Sequence, residues 1–181
     1  MLRKSDHKYE SLTPTPPKRR TKSREQALSA LMRLCARAEK SEGDARRLMR
    51  GWGVSTEDAE KVLAQLVRDK FISNSRYAEA FVREKTRLSG WGAYKIRTAL
   101  QRKGVEKEII EEALKQTNRE EMQTKLTERL QRKLRTTKSS SPYDLRTKLM
   151  RYGLTLGFDY EQVSEAVSQI MNNDEICDEF N

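Results

Sequence analysis

A glycine, a hydrophobe and then an amphipathic helix occur three times in this chain at almost constant spacing. Gly53-Val54, Gly104-Val105 and Gly157-Phe158 mark the places. Behind them stand Ala59, Val62, Leu63 and Leu66; then Ile110, Ala113 and Leu114; then Val163, Ala166, Val167 and Ile170. The offsets are 51 and 53 residues, ungapped from glycine to helix end, and Gln65, Gln116 and Gln169 fall on the same grid. A period near 50 residues dictates a tandem array. Each unit is too small to bury a stable core alone, so neighbours must stack.

The unit holds three helices, because Ala78, Phe81 and Val82 repeat Ala27, Ala30 and Leu31 at the same 51-residue offset. The fold expected is all-α: three tandem three-helix repeats in an elongated, curved helical array. The boundaries are 23–72, 73–117 and 118–172, with a basic arm at 1–22 and an acidic tail at 173–181. The arm holds Thr13-Pro14-Thr15-Pro16-Pro17 before Lys18-Arg19-Arg20 and has nothing to bury.

Capping chemistry places the helices. Ser23 with Gln26 forms a capping box for a first helix reaching about Glu39, with Ala27, Ala30, Leu31, Leu34 and Ala38 inward. Ser41-x-x-Asp44 opens a helix burying Ala45, Leu48, Met49 and Trp52, and Ser55 opens the next. Asn74 is the expected N-cap of a helix carrying Tyr77, Ala78, Phe81, Val82 and Leu88 inward. Gly90-Trp91-Gly92 reads as a turn before a helix with Ala93, Ile96, Ala99 and Leu100 inside. Asn118-x-x-Glu121 is a second capping box, ahead of a stripe of Met122, Leu126, Leu130 and Leu134. Ser141-Pro142 starts a helix burying Leu145 and Leu149, with proline where its missing N–H costs nothing. Gly157, rather than Gly153, ends that helix, making it a turn longer than its counterparts. After Met171 the chain is expected to fray.

The net charge is +10, and it is uneven. Residues 25–72 carry nine basic and eight acidic side chains, 73–117 ten against six, and 118–171 ten against seven. A basic second and third module suits a polyanion, either nucleic acid or an acidic protein groove. Catalysis has little to work with: the sole histidine, His7, lies in the arm, and phosphate-loop and nucleophile-elbow patterns are absent. Cys35 and Cys177 are the only cysteines and show no metal spacing. No apolar run spans a bilayer and no signal-peptide core is seen. The chain is thus read as a cytoplasmic non-enzyme and monomer, without cofactor, metal, membrane or small-molecule substrate.

The candidate binding residues are basic. Arg83, Lys85 and Arg87 end the first helix of the second module. Lys95, Arg102 and Lys103 follow on its second helix. Arg132, Lys133 and Arg135 cluster on the long helix, and Arg146 and Arg151 follow it. Such rows can neutralise phosphates or pair with acidic side chains. Trp91 is read as packing rather than as a platform for a base.

The second module carries a more specific pattern: Ile72-x-x-Ser75-Arg76-Tyr77-Ala78-x-x-Phe81-Val82-Arg83, then Gly90-x-Gly92-x-x-Lys95-Ile96-x-x-x-Leu100-x-x-x-Gly104-Val105. It resembles the central motif of the RecX family. Ser41-Glu42 before Ala45-Arg46-Arg47-Leu48 resembles that family's first-module signature, and Gly157-Phe158 its third. The likeness spans about residues 25–171. Asn74 departs from it, since the family usually has Asp there. The resemblance implies tandem three-helix repeats that bind RecA within the groove of its filament on DNA. It also implies inhibition of the recombinase's ATPase and strand exchange, hence regulation of DNA repair and recombination; some members bind DNA. Read from residues alone, two other functions stay open: an independent helical DNA- or RNA-binding protein or transcriptional regulator, and a repeat adaptor for another acidic partner.

Overall fold

The structure, a computed structural model, describes residues 21–178, with side chains through residue 172. Among these residues there are nine α-helices and no strand. The first module holds α1 (Arg24–Cys35), α2 (Glu42–Gly51) and α3 (Thr56–Arg68). The second holds α4 (Asn74–Glu84), α5 (Ala93–Arg102) and α6 (Lys107–Lys115). The third holds α7 (Arg119–Thr136), α8 (Pro142–Thr155) and α9 (Tyr160–Asp178). In each module the third helix is the hub: α1 and α2 pack on α3, α4 and α5 on α6, α7 and α8 on α9.

Gly53, Gly104 and Gly157 all have positive φ (71°, 74° and 90°). This left-handed conformation, strained for any residue with a Cβ, ends each second helix. The Ser23 capping box closes. Ser41, Ser55 and Ser141 accept the N–H of the third helical residue, at 3.0 to 3.1 Å. Helix α8 has 14 residues against 10 in α2 and α5, the extra turn expected from a Gly157 stop.

Several details differ from expectation. Helix α1 stops at Cys35 and Ala38 is exposed. The cap of α4 is Ser73, whose Oγ accepts the Arg76 N–H at 3.3 Å. Asn74 is instead drawn inward by partners in other helices. Asn118 caps α7 through the Glu120 N–H at 2.8 Å, and the box does not close because Glu121 turns to Arg87. After Glu84 the chain makes a π-helical turn, Lys85–Ser89. Its wider ring shifts the helical phase, so Leu88, expected inside, is 74% exposed. That turn also buries Thr86, whose hydroxyl has no partner among the described residues. Helix α9 runs past Met171 to Asp178, since no glycine or proline interrupts 172–178. The side chains of the acidic tail, and residues 1–20 of the basic arm, lie outside the described residues.

The apolar side chains form two cores rather than one. Ala27, Leu31, Met49, Val62, Leu66 and Ile72 belong to a first, confined to the first module and its exit. Val82, Ile96, Leu100, Ile110, Leu126, Leu130, Leu149, Phe158 and Val167 belong to a second, shared by the other two modules. Truncating a fully buried leucine such as Leu126 costs about 2–5 kcal/mol.

The second helices of the modules lie head to tail, so their end groups and dipoles meet. The carbonyls of the three C-caps, Trp52, Lys103 and Leu156, are spaced 51 and 53 residues apart, like the glycines. Each accepts a hydrogen bond from the element before it in the array. Leu156 O takes the Gly92 N–H (2.8 Å) at the start of α5. Lys103 O takes the Ser41 hydroxyl (3.0 Å) at the start of α2. Trp52 O takes the Lys22 N–H (3.1 Å), with the Lys22 ammonium 5.0 Å from the Trp52 ring centroid. The last residues of the arm thus close the end of the array where a preceding module would dock.

Candidate functional site

The residues of the central sequence pattern go to the two joints between modules. At the first joint Asn74 Oδ1 accepts the Glu42 N–H (3.0 Å), and its Nδ2 donates to Glu42 Oε1 (3.3 Å) and Glu106 Oε2 (3.1 Å). Arg76 reaches back to both oxygens of Glu39 (3.0 and 3.4 Å) and to the Lys70 carbonyl (3.0 Å). Lys103 places its ammonium on both oxygens of the buried Asp44 (2.9 and 3.0 Å), and Arg47 adds a third contact at 2.7 Å. Tyr77 is buried beside them. Burial, and then the Asp44 carboxylate, push its phenol up to about 12. A cleft of about 640 Å³ opens here, with Leu34 and Leu48 on one wall and Tyr77 and Phe81 on the other.

At the second joint Gly92 meets Gly157 backbone to backbone. A methyl group at Gly92 would be driven into the Gly157 carbonyl. The Tyr94 N–H donates to Gly157 O (3.0 Å) and Lys95 Nζ to Thr155 O (3.1 Å). Trp91 packs edge-on against Phe81, centroids 6.3 Å apart, as expected for a packing residue. The ammoniums of Lys85 and Lys95 lie 5.5 and 4.8 Å from its ring centroid. Gly90-Trp91-Gly92 is thus the interhelical turn the sequence suggested.

This sorts the eleven basic candidates. Lys103 holds the first joint and Lys95 the second. Arg87 pairs with Glu121 (2.9 Å), Lys85 with Glu84 (2.7 Å), and Arg146 donates to Ser168 Oγ (3.1 Å). The Lys133 ammonium lies 5.7 Å from the Tyr152 ring centroid. Arg83, Arg102, Arg132, Arg135 and Arg151 are exposed and make no ion pair among the described residues. Arg83 stands at the end of α4 and Arg102 at the end of α5, whereas Arg132 and Arg135 share the C-terminal half of α7 and Arg151 lies on the neighbouring α8. Candidates that seemed equivalent in sequence therefore split into internal cations and free ones, with the free ones concentrated in the third module.

One pairing recurs on the repeat grid. Arg46 grips both oxygens of Glu60 (2.9 and 3.2 Å), and Arg97 both oxygens of Glu111 (2.6 and 3.0 Å). The two arginines are 51 residues apart, as are the two glutamates, so the repeat grid held the signal. These bonds tie the second helix to the third in two modules, and each hydrogen-bonded arginine holds its glutamate below the usual carboxylate range. Among the described residues no group of three metal-ligating side chains is assembled, and no helix is long and apolar enough to cross a membrane.

Comparison with known proteins agrees with this architecture. Residues 73–114 match the family description "RecX, second three-helix domain", and residues 120–167 match "RecX, third three-helix domain". The Regulatory protein RecX of Clostridium botulinum (strain Alaska E43 / Type E3) is 31% identical over 154 residues, covering 83% of this chain and 69% of that protein. The Regulatory protein RecX of Prosthecochloris aestuarii is 28% identical over 135 residues, covering 75% and 87%. A crystal structure of RecX from Lactobacillus salivarius superposes with a TM-score of 0.70 at 18% identity, over 81% of this chain and 95% of that one. A second crystal structure, of regulatory protein RecX, gives 0.74 at 21%, over 81% and 73%. With its three-helix modules, their repeated end-to-end joints and this level of identity along most of its length, the chain belongs to the RecX family.

Proposed function

We propose that this protein binds RecA and its filament on DNA and inhibits the recombinase's ATPase and strand-exchange activities, acting by binding rather than by chemistry. Membership of a family of regulatory proteins supports the reading. The observation that carries it is the group of exposed arginines on the second and third modules that make no ion pair among the described residues, Arg83, Arg102, Arg132, Arg135 and Arg151. A free guanidinium loses no internal partner when it meets a carboxylate or phosphate, so its attraction goes wholly to the partner.

The test is RecA-dependent ATP hydrolysis on single-stranded DNA, titrated with the full chain. Wild type suppresses hydrolysis. Reversing Arg102, Arg132 and Arg151 to Glu weakens suppression at least about ten-fold, one to three charge contacts being enough for that, while helicity by circular dichroism is unchanged. Inhibition unaffected by the three reversals would remove these residues from the interface. No inhibition by wild type across a wide concentration range would remove RecA itself. A sequence-preferring complex with duplex DNA in the absence of RecA would instead favour an independent regulator of transcription.

A further inference from the structure

The second joint has an outer surface that the packing does not use. Tyr94 and Tyr160 are each 69% exposed, and Leu154 is 43% exposed. The hydrogen bond from Tyr94 N–H to Gly157 O (3.0 Å) brings the first turn of α5 within three residues of Tyr160 at the start of α9. Lys95 Nζ, on Thr155 O (3.1 Å), brings a cation to the same helix end. Arg151 lies one turn back on α8 from Thr155, exposed and without an ion pair among the described residues. Two open phenol rings, an aliphatic side chain and two cations are thus carried by helix ends that converge at this joint. Asp159 flanks the patch as a carboxylate that caps α9 through the Gln162 N–H (2.8 Å). Glu161 is its acidic neighbour.

We infer that this patch binds single-stranded nucleic acid directly, with bases stacked on Tyr94 and Tyr160 and phosphates neutralised by Lys95 and Arg151. The inference deepens the DNA side of the proposed function and rests on it for the class of polyanion, but it requires no RecA. Flat rings beside fixed cations suit bases because every base offers a π face, whatever its sequence. The net charge of +10 favours a polyanion over a neutral or basic protein surface. Lys95 keeps two N–H donors after its bond to Thr155 O, and one of them can reach a phosphate without opening the joint.

The experiment compares binding, without RecA and at low salt, of three probes: a short oligothymidylate, an abasic strand with the same number of phosphates, and a duplex. Wild type is expected to prefer oligothymidylate over the abasic strand about ten-fold or more, the scale of one or two stacked bases. The Tyr94→Ala/Tyr160→Ala double variant is expected to lose that preference while keeping its salt slope, because its phosphate contacts remain. Arg151→Glu weakens every probe and flattens the slope. Leu88→Ala, an exposed residue of the π turn, changes neither. Equal affinity of wild type for the thymidylate and abasic strands overturns the proposal, as does no binding or a preference that survives loss of both tyrosines. If the tyrosine pair abolishes RecA inhibition but leaves oligothymidylate binding intact, the patch docks protein and the proposal is wrong. Because RecA is absent from the binding assay, its failure leaves the ATPase test standing.

Discussion

The joint between the first and second modules and the joint between the second and third use the same helix ends and opposite chemistry. In both, the N-terminus of one second helix meets the C-cap carbonyl of the next. At the first joint the meeting is surrounded by Asp44, Lys103, Asn74, Glu42, Arg76 and Glu39, and the apolar core stops on each side. At the second, Leu156 stands on the repeat grid where Lys103 stood and Lys95 where Asp44 stood, and one core runs through. A repeat thus conserves geometry more readily than interaction type. Apolar burial is non-directional and cooperative, so it fuses the second and third modules. A hydrogen-bonded ion-pair network fixes orientation but yields modest net stability, because desolvation offsets much of its attraction. The first module should therefore open as a separate unit.

The sharpest way to break this contrast is Leu126→Ala, in the shared core. It is expected to lower the stability of the second and third modules by about 2–5 kcal/mol and to leave the first module almost unaffected. The two tryptophans report separately, since Trp52 packs on the first core and Trp91 on the second. Thermal unfolding of single-tryptophan variants checks it, and a common shift of both signals would show a single cooperative unit.

Asn74→Asp and Lys103→Met act on the polar joint. Aspartate keeps the acceptor for the Glu42 N–H but replaces an Nδ2 donor with a carboxylate facing Glu42 and Glu106. Methionine leaves Asp44 with Arg47 alone. Each should cost about 1–3 kcal/mol in the Trp52 transition, with the Trp91 transition unchanged. Added salt should partly rescue Asn74→Asp, because it screens carboxylate repulsion. Insensitivity of the Trp52 transition to both substitutions would show that the joint holds by other means.

Lys22→Pro removes the N–H that Trp52 O accepts and the ammonium over the Trp52 ring. A loss of about 0.5–1.5 kcal/mol confined to the first module is expected in denaturant titrations. An unchanged midpoint would deny residues 21–22 their capping role.

The smallest effect is the pH response of the repeated Arg–Glu pairs. Glu60 and Glu111 are held below their ordinary value by Arg46 and Arg97. Their contribution is present above the unfolded carboxylate value, about 4.3, and fades as pH falls through the lower folded values. Glu111→Gln should make stability less dependent on pH below about 4.3 by a few tenths of a kcal/mol, as for other partly exposed pairs.

The array was legible because glycine stops and apolar stripes are local. Gly53, Gly104 and Gly157 need a left-handed backbone whatever surrounds them, and serine caps act within three residues. The candidate site was less legible because exposure is a property of the assembled fold. Nothing in the sequence separates Lys103, which finds Asp44 59 residues away, from Arg102 beside it. Asn74 was misplaced for the same reason: an asparagine before a helix looks like a cap, yet its partners lie 32 residues off in each direction. The π turn that exposes Leu88 left no local sign. The Arg46–Glu60 and Arg97–Glu111 pairs did leave one, since both halves recur at 51 residues, but only a search for repeated charges would have found it.

Native-state hydrogen exchange along the described helices tests the unequal joints most directly. Amides of α2 and α3 are expected to open together, at a lower free energy than amides of α5, α6, α7 and α9, and rising salt is expected to widen the gap. A single opening free energy shared by all three modules, with the same salt dependence throughout, would contradict this order.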